Sequence, residues 1–498
     1  MAPSISPSST HYALVVDAGS SGSRLQIYSW RDPDLERAEI LQEVVHAQEG
    51  DGGSQTWWYR HRDWISSKWK GKGKEKEASM ERTALRRLVR VGKGVEGDAW
   101  VKRVEPGECG VARAHGDKLI QLGISTISPD DIPAYLSPLL SHALQQIPPS
   151  QHASTPIYVL ATAGMRLLAP SAREAILRAT CNELTKSYPF SLDGPSCSEN
   201  VRVISGEEEG MWGWVAVNYL MDGFGHAPDT SSASTASSSS STGLLPLAPL
   251  ADAPPASMQD SVTPVDVNHH SPTFGFLDMG GASTQLAFSP TESELRRSGY
   301  PESDLRKVSL RLLSGETVEW PVFVASWLDF GTNRVRDRYA ETLVTRWKSH
   351  KVDGKLDFST PISDPCLPKG LSVASSDPDA HPDFSGTGSF STCLTELKPL
   401  LDHEHPCPAQ HCLFGGVPTP HIDFARDDQR GFIGVSEYWY TAQQVLGLGG
   451  MWDWGEWEKG MNGFCGKDWT EIERQVEQGK GDPRAGVSFA YLLGWAGC

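Results

Sequence analysis

A chain of 498 residues is too long for one core of ordinary domain size, so two domains are expected. Its 39% hydrophobic content and 17 Trp suit a globular protein, and a formal charge of −17 argues against nucleic acid as the default partner. An anionic substrate would then have to be held by local donors or by a bound cation, against the field of the whole chain.

The N-terminus, MAPSISPSSTHYALVVDAG, lacks a basic start followed by a long apolar run and does not read as a secretory signal. The first compact element, residues 12–30, reads as strand (ALVVDAG), polar turn (SSGS) and strand (RLQIYSW). Residues 50–103 mix Trp with many Lys and Arg and read as a solvated insertion with a short helix. Apolar residues at helical spacing predict a helix over residues 130–147, capped by Ser128 or Asp130. A buried strand (IYVL, 157–160), a helix (171–184), a short strand (201–204) and a helix running through Met221 follow. Residues 222–271 turn into Ser/Thr/Ala/Pro sequence that cannot bury enough apolar surface to fold, and read as a disordered insertion. Residues 274–288 again read as strand, Gly turn, strand, and a helix is expected over 326–346. DAGSSGSR and DMGGASTQ make an internal repeat separated by a long interval. No stretch approaches the roughly 20 apolar residues that a membrane-spanning helix needs.

Nine cysteines are present, at 109, 181, 197, 366, 393, 407, 412, 465 and 498, with no CxxC pair to suggest a metal knuckle. Four crowd into the loop-rich stretch 366–412, a pattern that suits disulfides in an oxidising compartment. Eight paired cysteines leave one over, for which Cys109 is the choice; the connectivity is open.

The two hairpins carry the chemistry. Each has an Asp closing a buried strand, Asp17 and Asp278, followed by a turn of small residues: Gly19, Ser20, Ser21, Gly22 and Ser23 in one, Gly280, Gly281, Ala282, Ser283 and Thr284 in the other. Small residues let backbone N–H groups approach a phosphate, and hydroxyls add donors. Facing each other, the turns would clamp a phosphate chain, and the two carboxylates would hold a hydrated divalent cation, Ca²⁺ or Mg²⁺. A base is needed to activate water. Glu207, Glu208 and Glu209 follow a strand and start a helix, between Gly206 and Gly210. The helix dipole explains acidic residues there in general, and a carboxylate placed by glycines at a strand end is a plausible general base, with Glu209 the choice. Thr162 follows another buried strand, where it either caps a helix or orients the water.

Together VVDAGSSGSR, ATAGMRLL, ISGEEEGMWGW and DMGGASTQLAF resemble, in order, four regions of the apyrase family, the nucleoside triphosphate diphosphohydrolases. The likeness spans residues 13–440, and GSSGSR, FGTNRVRDRY and EYWYTAQQV are most similar to the Golgi apyrases. The resemblance implies an α/β, actin-like fold of two ribonuclease-H-like lobes with the active site in the cleft. The expected lobes are 1–205 and 206–498. It implies Ca²⁺ or Mg²⁺ bound through water near Asp17 and Asp278, Glu209 as catalytic base, and Thr162, Ser283 and Gln285 positioning the water. Phosphate and nucleotide would be bound by Gly19, Ser20, Ser21, Gly22, Ser23, Arg24, Gly280, Gly281, Ala282, Ser283 and Thr284, with Tyr440 stacking on the base. The implied substrates are nucleoside di- and triphosphates (GDP, UDP, ADP, GTP, ATP), and the implied setting is the Golgi or another endomembrane lumen. A C-terminal membrane anchor is expected beyond Cys498, which itself resembles the partner of Cys465. Two other readings stay open: another actin-like phosphotransferase such as an exopolyphosphatase or sugar kinase, and a nucleotide-binding protein without turnover.

Overall fold

A computed structural model describes residues 10–19, 22–49, 101–103, 123–194, 197–221, 223–224, 273–351, 354–402, 404–422 and 431–478. Its first sheet is built on the hairpin of β1 (Thr10–Gly19) and β2 (Gly22–Arg31), which puts Asp17 opposite Arg24 and Gly19 opposite Gly22. Side chains alternate along both strands. Leu14, Val16, Ala18, Ser23, Leu25 and Ile27 turn inward, leaving Asp17 and Arg24 on the other face. β3 (Val101–Arg103) joins β2 antiparallel, while β4 (Ile157–Ala161) and β5 (Val201–Val203) continue parallel from β1, in the order β3-β2-β1-β4-β5. The helices Ile132–Gln146 and Pro170–Ser187 contribute Tyr135, Leu136, Leu139, Leu140, Ile176 and Leu184 to the core beneath this sheet.

The second sheet repeats the plan. β6 (Gly275–Met279) and β7 (Ser283–Phe288) form its hairpin. β9 (Thr317–Leu328) pairs antiparallel with β7, β8 (Arg306–Arg311) lies outside it, and β13 (Phe432–Ser436) runs parallel to β6. A hairpin flanked by an antiparallel strand on one side and a parallel strand on the other is the ribonuclease-H-like arrangement, and two such sheets give the actin-like plan. Between β9 and β13 a small sheet, β10 (Ile362–Asp364), β12 (Phe384–Gly386) and β11 (Ser372–Val373), forms around the Cys366–Cys393 disulfide. There Arg336 pairs with the fully buried Asp364 at 2.5 Å.

The chain passes from one sheet to the other at a single helix. Gly206–Leu220 starts directly after β5, yet packs on the second sheet through Trp214 and Val217, beside Phe276 and Val322. A Cβ on Gly213 would lie 2.1 Å from the Phe276 ring, so only glycine permits that approach.

Several sequence-based boundaries move. Residues 101–103, expected within the basic insertion, form the edge strand β3. Phe224, expected within the disordered insertion, is buried between Trp214 and Trp320. The helix expected from 326 begins at Thr332, because Ser326, Trp327 and Leu328 are held in β9 opposite Gln285, Thr284 and Ser283. Ser128, as expected, is the N-cap of the helical stretch, which opens as a 3-10 turn, Pro129–Asp131, before the α-helix proper starts behind Asp131; neither side chain makes a cap bond. The remainder of both insertions, with the short helix expected in the first, lies outside the described residues. Among the described residues no helix is long and apolar enough to cross a membrane.

Among the described residues three disulfides form: Cys181–Cys197, Cys366–Cys393 and Cys407–Cys412. Cys465 is buried without a cysteine partner among the described residues, and Cys109 and Cys498 lie outside them. Cys366–Cys393 spans 27 residues of sequence, so opening it frees a loop whose closure is worth about 3 to 4 kcal/mol. Replacing both cysteines by serine should lower the free energy of unfolding by about that amount in a denaturant titration. An unchanged midpoint and slope would show that the small sheet holds without its bridge.

Candidate active site

The two hairpins bring their aspartates within electrostatic reach of one centre: Asp278 adds to the upward shift that burial imposes on Asp17, and both add to the one that burial imposes on Glu209. Asp17 is exposed on its face of β1, yet the surrounding protein desolvates its carboxyl. That desolvation raises its pKa, Arg24 opposes it, and Asp278 adds to it. Asp278 is likewise raised by burial, against hydrogen bonds from the Ser436 hydroxyl and the Met279 backbone. Its Oδ1 is buried and has no hydrogen-bond partner.

Glu209 reaches this centre because the three adjacent glutamates are sorted by the start of their helix. Ser205 is the N-cap: its hydroxyl accepts from the Glu208 N–H at 3.1 Å, and the Glu208 carboxylate accepts from the Ser205 N–H at 2.9 Å. Glu208 also pairs with Arg202 at 2.8 Å. Glu209, one residue on, turns toward the second sheet, where it pairs with Arg166 and accepts from Gln285 Nε2 at 3.1 Å. The flanking glycines are required by contact. A Cβ on Gly206 would lie 1.9 Å from Ser326 Oγ and 2.6 Å from an Arg166 guanidinium nitrogen, and one on Gly210 would lie 2.8 Å from Val324. Burial lifts the Glu209 carboxyl to about 7, with Arg166 opposing and Asp278 and Asp17 assisting.

Gln285 is 1% exposed, and its Nε2 donates to Ser283 Oγ at 2.7 Å and lies 3.3 Å from Ser326 Oγ. Its Oε1 is buried with no partner, so the amide presents an unused acceptor next to the Glu209 carboxylate. Thr162 follows β4, its N–H donating to the Ala18 carbonyl at 3.2 Å, which fixes it beside the first hairpin. It is the N-cap of the short helix Ala163–Arg166, as the helix-cap reading expects, but its side chain makes no cap bond.

In the second turn the carbonyls are occupied. Gly280 accepts from Thr332 at 3.0 Å, Gly281 from Asn333 at 2.9 Å and Ala282 from Asp329 at 2.9 Å. The N–H groups of Gly281 and Ala282 meet no acceptor among the described residues. Gly331 makes this possible, since a Cβ there would lie 2.4 Å from the Ala282 nitrogen. Thr284 is engaged elsewhere: its hydroxyl donates to the Asp278 carbonyl at 2.6 Å.

In the first turn Gly22 has φ +150, a conformation that glycine alone adopts readily, while Ser20 and Ser21 lie outside the described residues. Ser23 departs from expectation. It shares the inward face of β2 with Leu25 and Ile27, is 3% exposed, and accepts a hydrogen bond from the Tyr135 hydroxyl at 2.8 Å. Its side chain is therefore a core group, not a phosphate ligand. Arg24, on the opposite face, lies beside Asp17, its Nε buried without a partner. Tyr440 opens a π-helical turn, Tyr440–Val445, after β13. It is Tyr438 that bonds to the second hairpin, through Thr284.

Sequence reasoning missed four contributors. Arg166 lay in plain view in ATAGMRLL, but its partner is 43 residues away. Ser326 was assigned to a helix. Ser436, with φ 55 and ψ −123, sits in a conformation costly for a residue with a Cβ, and it places its hydroxyl on Asp278. Glu437, the next residue, is lifted to about 7 by burial and by Asp278.

Two ribonuclease-H-like sheets, each built on a hairpin with an Asp before a turn of small residues, give this chain an actin-like fold. More specifically, it belongs to the GDA1/CD39 (nucleoside phosphatase) family, whose model matches residues 4–56 and 112–486. It is 31% identical over 478 residues to the Golgi apyrase of Saccharomyces cerevisiae, an alignment covering 94% of this chain and 59% of that protein. It is 32% identical over 464 residues to the Golgi apyrase of Schizosaccharomyces pombe, covering 93% and 60%. With the nucleoside-diphosphatase mig-23 of Caenorhabditis briggsae it shares 30% over 368 residues, covering 72% and 58%. The chain thus spans about three fifths of the length of these relatives.

The raised Glu209 pKa has a consequence for stability. A carboxyl that titrates at about 7 folded and 4.5 unfolded gives the fold an advantage that is complete below pH 4.5 and lost as the pH rises through 7. Glu209→Gln removes that titration. Without divalent cations, the stability of this variant relative to the parent should therefore increase between pH 5 and pH 8 in denaturant unfolding. A difference that stays constant with pH would place the Glu209 carboxyl at an ordinary value.

Proposed function

We propose that this chain is an apyrase-type phosphohydrolase that removes the terminal phosphates of nucleoside di- and triphosphates. The observation that carries the reading is the hydrogen bond from Gln285 Nε2 to the Glu209 carboxylate, which leaves the buried Gln285 Oε1 as an unused acceptor beside it. A water held there would donate one hydrogen to Gln285 Oε1 and the other to Glu209, leaving its lone pair aimed at a phosphorus atom in the cleft. The water oxygen bonds to phosphorus, the bridging P–O bond breaks, and Glu209 takes the proton. Ser283 and Thr162 fix the position of the water, Ser283 through Gln285 and Thr162 from the opposite lobe. The free N–H groups of Gly281 and Ala282 bind phosphate oxygens from one side, and the first turn, Gly19 to Gly22 with Arg24 beside it, from the other. The lobes meet at Ser205–Gly206, and Tyr440 serves the base.

Asp17 and Asp278 fit a hydrated Ca²⁺ or Mg²⁺: both are oxygen donors, they come from opposing lobes, and Asp278 Oδ1 is buried without a partner. Bound there, the cation supplies charge neutralisation to the phosphate chain and relieves the crowding of three desolvated carboxylates. The disulfides suit an oxidising lumen, and the names of the yeast relatives point to the Golgi.

Glu209→Gln tests this directly. Phosphate release should fall by about 10²- to 10⁴-fold, the range for loss of a general base, while nucleotide affinity changes little. Release at the parent rate would remove Glu209 from the mechanism.

A further inference from the structure

Beside Arg166 the first lobe holds an open hollow of about 630 Å³ between β5, the helix Pro170–Ser187 and the start of the helix Gly206–Leu220. Three arginines line it, Arg166, Arg173 and Arg202, together with Ser198, Ser205 and Glu208. In a chain of charge −17, such a concentration of cationic groups in one hollow has no counterpart in the bulk composition. Its one acid is already satisfied: Glu208 is bonded by the Ser205 N–H at 2.9 Å and by Arg202 at 2.8 Å. Arg173 has no ion-pair or hydrogen-bond partner for its guanidinium among the described residues, and Arg166 Nε is buried without one. A hollow of this size is within the range of about 300–1,000 Å³ seen for small-ligand sites, and its free donors are guanidinium groups, which match the oxygens of a phosphate.

Its position relates it to the reaction. In-line attack carries the phosphoryl group toward the water, so orthophosphate emerges on the Glu209 side, away from the departing nucleotide. Arg166 is there, bonded to Glu209 at one end and lining the cavity. We propose that this cavity is an orthophosphate site that receives the product from the cleft, with Arg166 shared between the two and Arg173 as the principal anchor. The proposal builds on the hydrolase reading for its purpose, and on the cavity alone for binding. Occupied, it sets the strength of product inhibition without touching the nucleotide.

Calorimetric titration of inorganic phosphate into the full chain, with chelator present and no nucleotide, tests the site independently of turnover. One phosphate should bind per chain, and Arg173→Ala should weaken its Kd by at least 5-fold, with Arg173→Lys retaining part of the affinity. Should the alanine variant melt early, Arg173→Gln keeps the side-chain length and should show the same loss. In the active enzyme, Arg173→Ala should raise the phosphate concentration for half-inhibition by a similar factor while leaving the nucleotide KM unchanged. Absence of phosphate binding to the parent chain, equal binding by the parent and both neutral variants, or displacement of the phosphate by nucleotide in simple competition would overturn the proposal. Phosphate binding as described in a chain that hydrolyses no nucleotide would instead leave the site standing and overturn the hydrolase reading.

Discussion

The contact between Arg166 and Glu209 joins the two lobes of this molecule at the site proposed for its chemistry. Arg166 ends a short helical turn that follows β4 in the first lobe, and Glu209 lies in the first turn of a helix packed on the second. They meet only because Gly206 has no side chain, since Ser326 and Arg166 fill the space a Cβ would need. From that contact the rest follows in order. Gln285 is held against Glu209, Ser283 against Gln285, and the second turn is held open by the chain at Gly331. A shift of one lobe relative to the other would break the first of these bonds and disperse the others.

The site is assembled at the expense of stability. Asp17, Asp278, Glu209 and Glu437 are all raised by desolvation, so at neutral pH the fold carries carboxylates it would rather protonate. Gln285 Oε1 and Asp278 Oδ1 lack partners, and Ser436 holds a backbone conformation that costs about 1–3 kcal/mol. Burial elsewhere compensates: Leu14, Val16, Leu25 and Ile27 with the helices below them, and Trp214, Phe276 and Val322 in the second lobe. Two buried acceptors, Asp278 Oδ1 and Gln285 Oε1, thus stand unpaired at the ends of the second hairpin, where a donor or a cation would stabilise them.

Much of this was legible in the sequence because the hairpins are local. Strand, small-residue turn and strand are consecutive in each hairpin, Thr10–Arg31 and Gly275–Phe288, so Asp17, Gly19, Gly22, Asp278 and Gly281 could be placed by pattern alone. The same pattern, followed more strictly, would have withdrawn Ser23: it shares the parity of Leu25 and Ile27 and so had to face the core. Other errors came from distance. Nothing near Ser326 says that it is a strand residue opposite Gln285, because the pairing spans 41 residues of sequence. Phe224 reads as part of a low-complexity run that starts at 222, until Trp214 and Trp320 close over it. The strained Ser436 and the buried Glu437 beside it owe their importance to Asp278, a neighbour supplied by the parallel pairing of β13 with β6. Local composition could not have predicted either.

The central claim is that facing hairpins, two carboxylates and a general base form one cation-dependent site for nucleotide phosphates. The most direct measurement is phosphate release from GDP, UDP, ADP, GTP and ATP by the purified chain, with Ca²⁺, with Mg²⁺ and with excess chelator. The account predicts release from both di- and triphosphates with either cation or both, and none with chelator. Release that persists undiminished in chelator, or no release from any of the five under any condition, would contradict it.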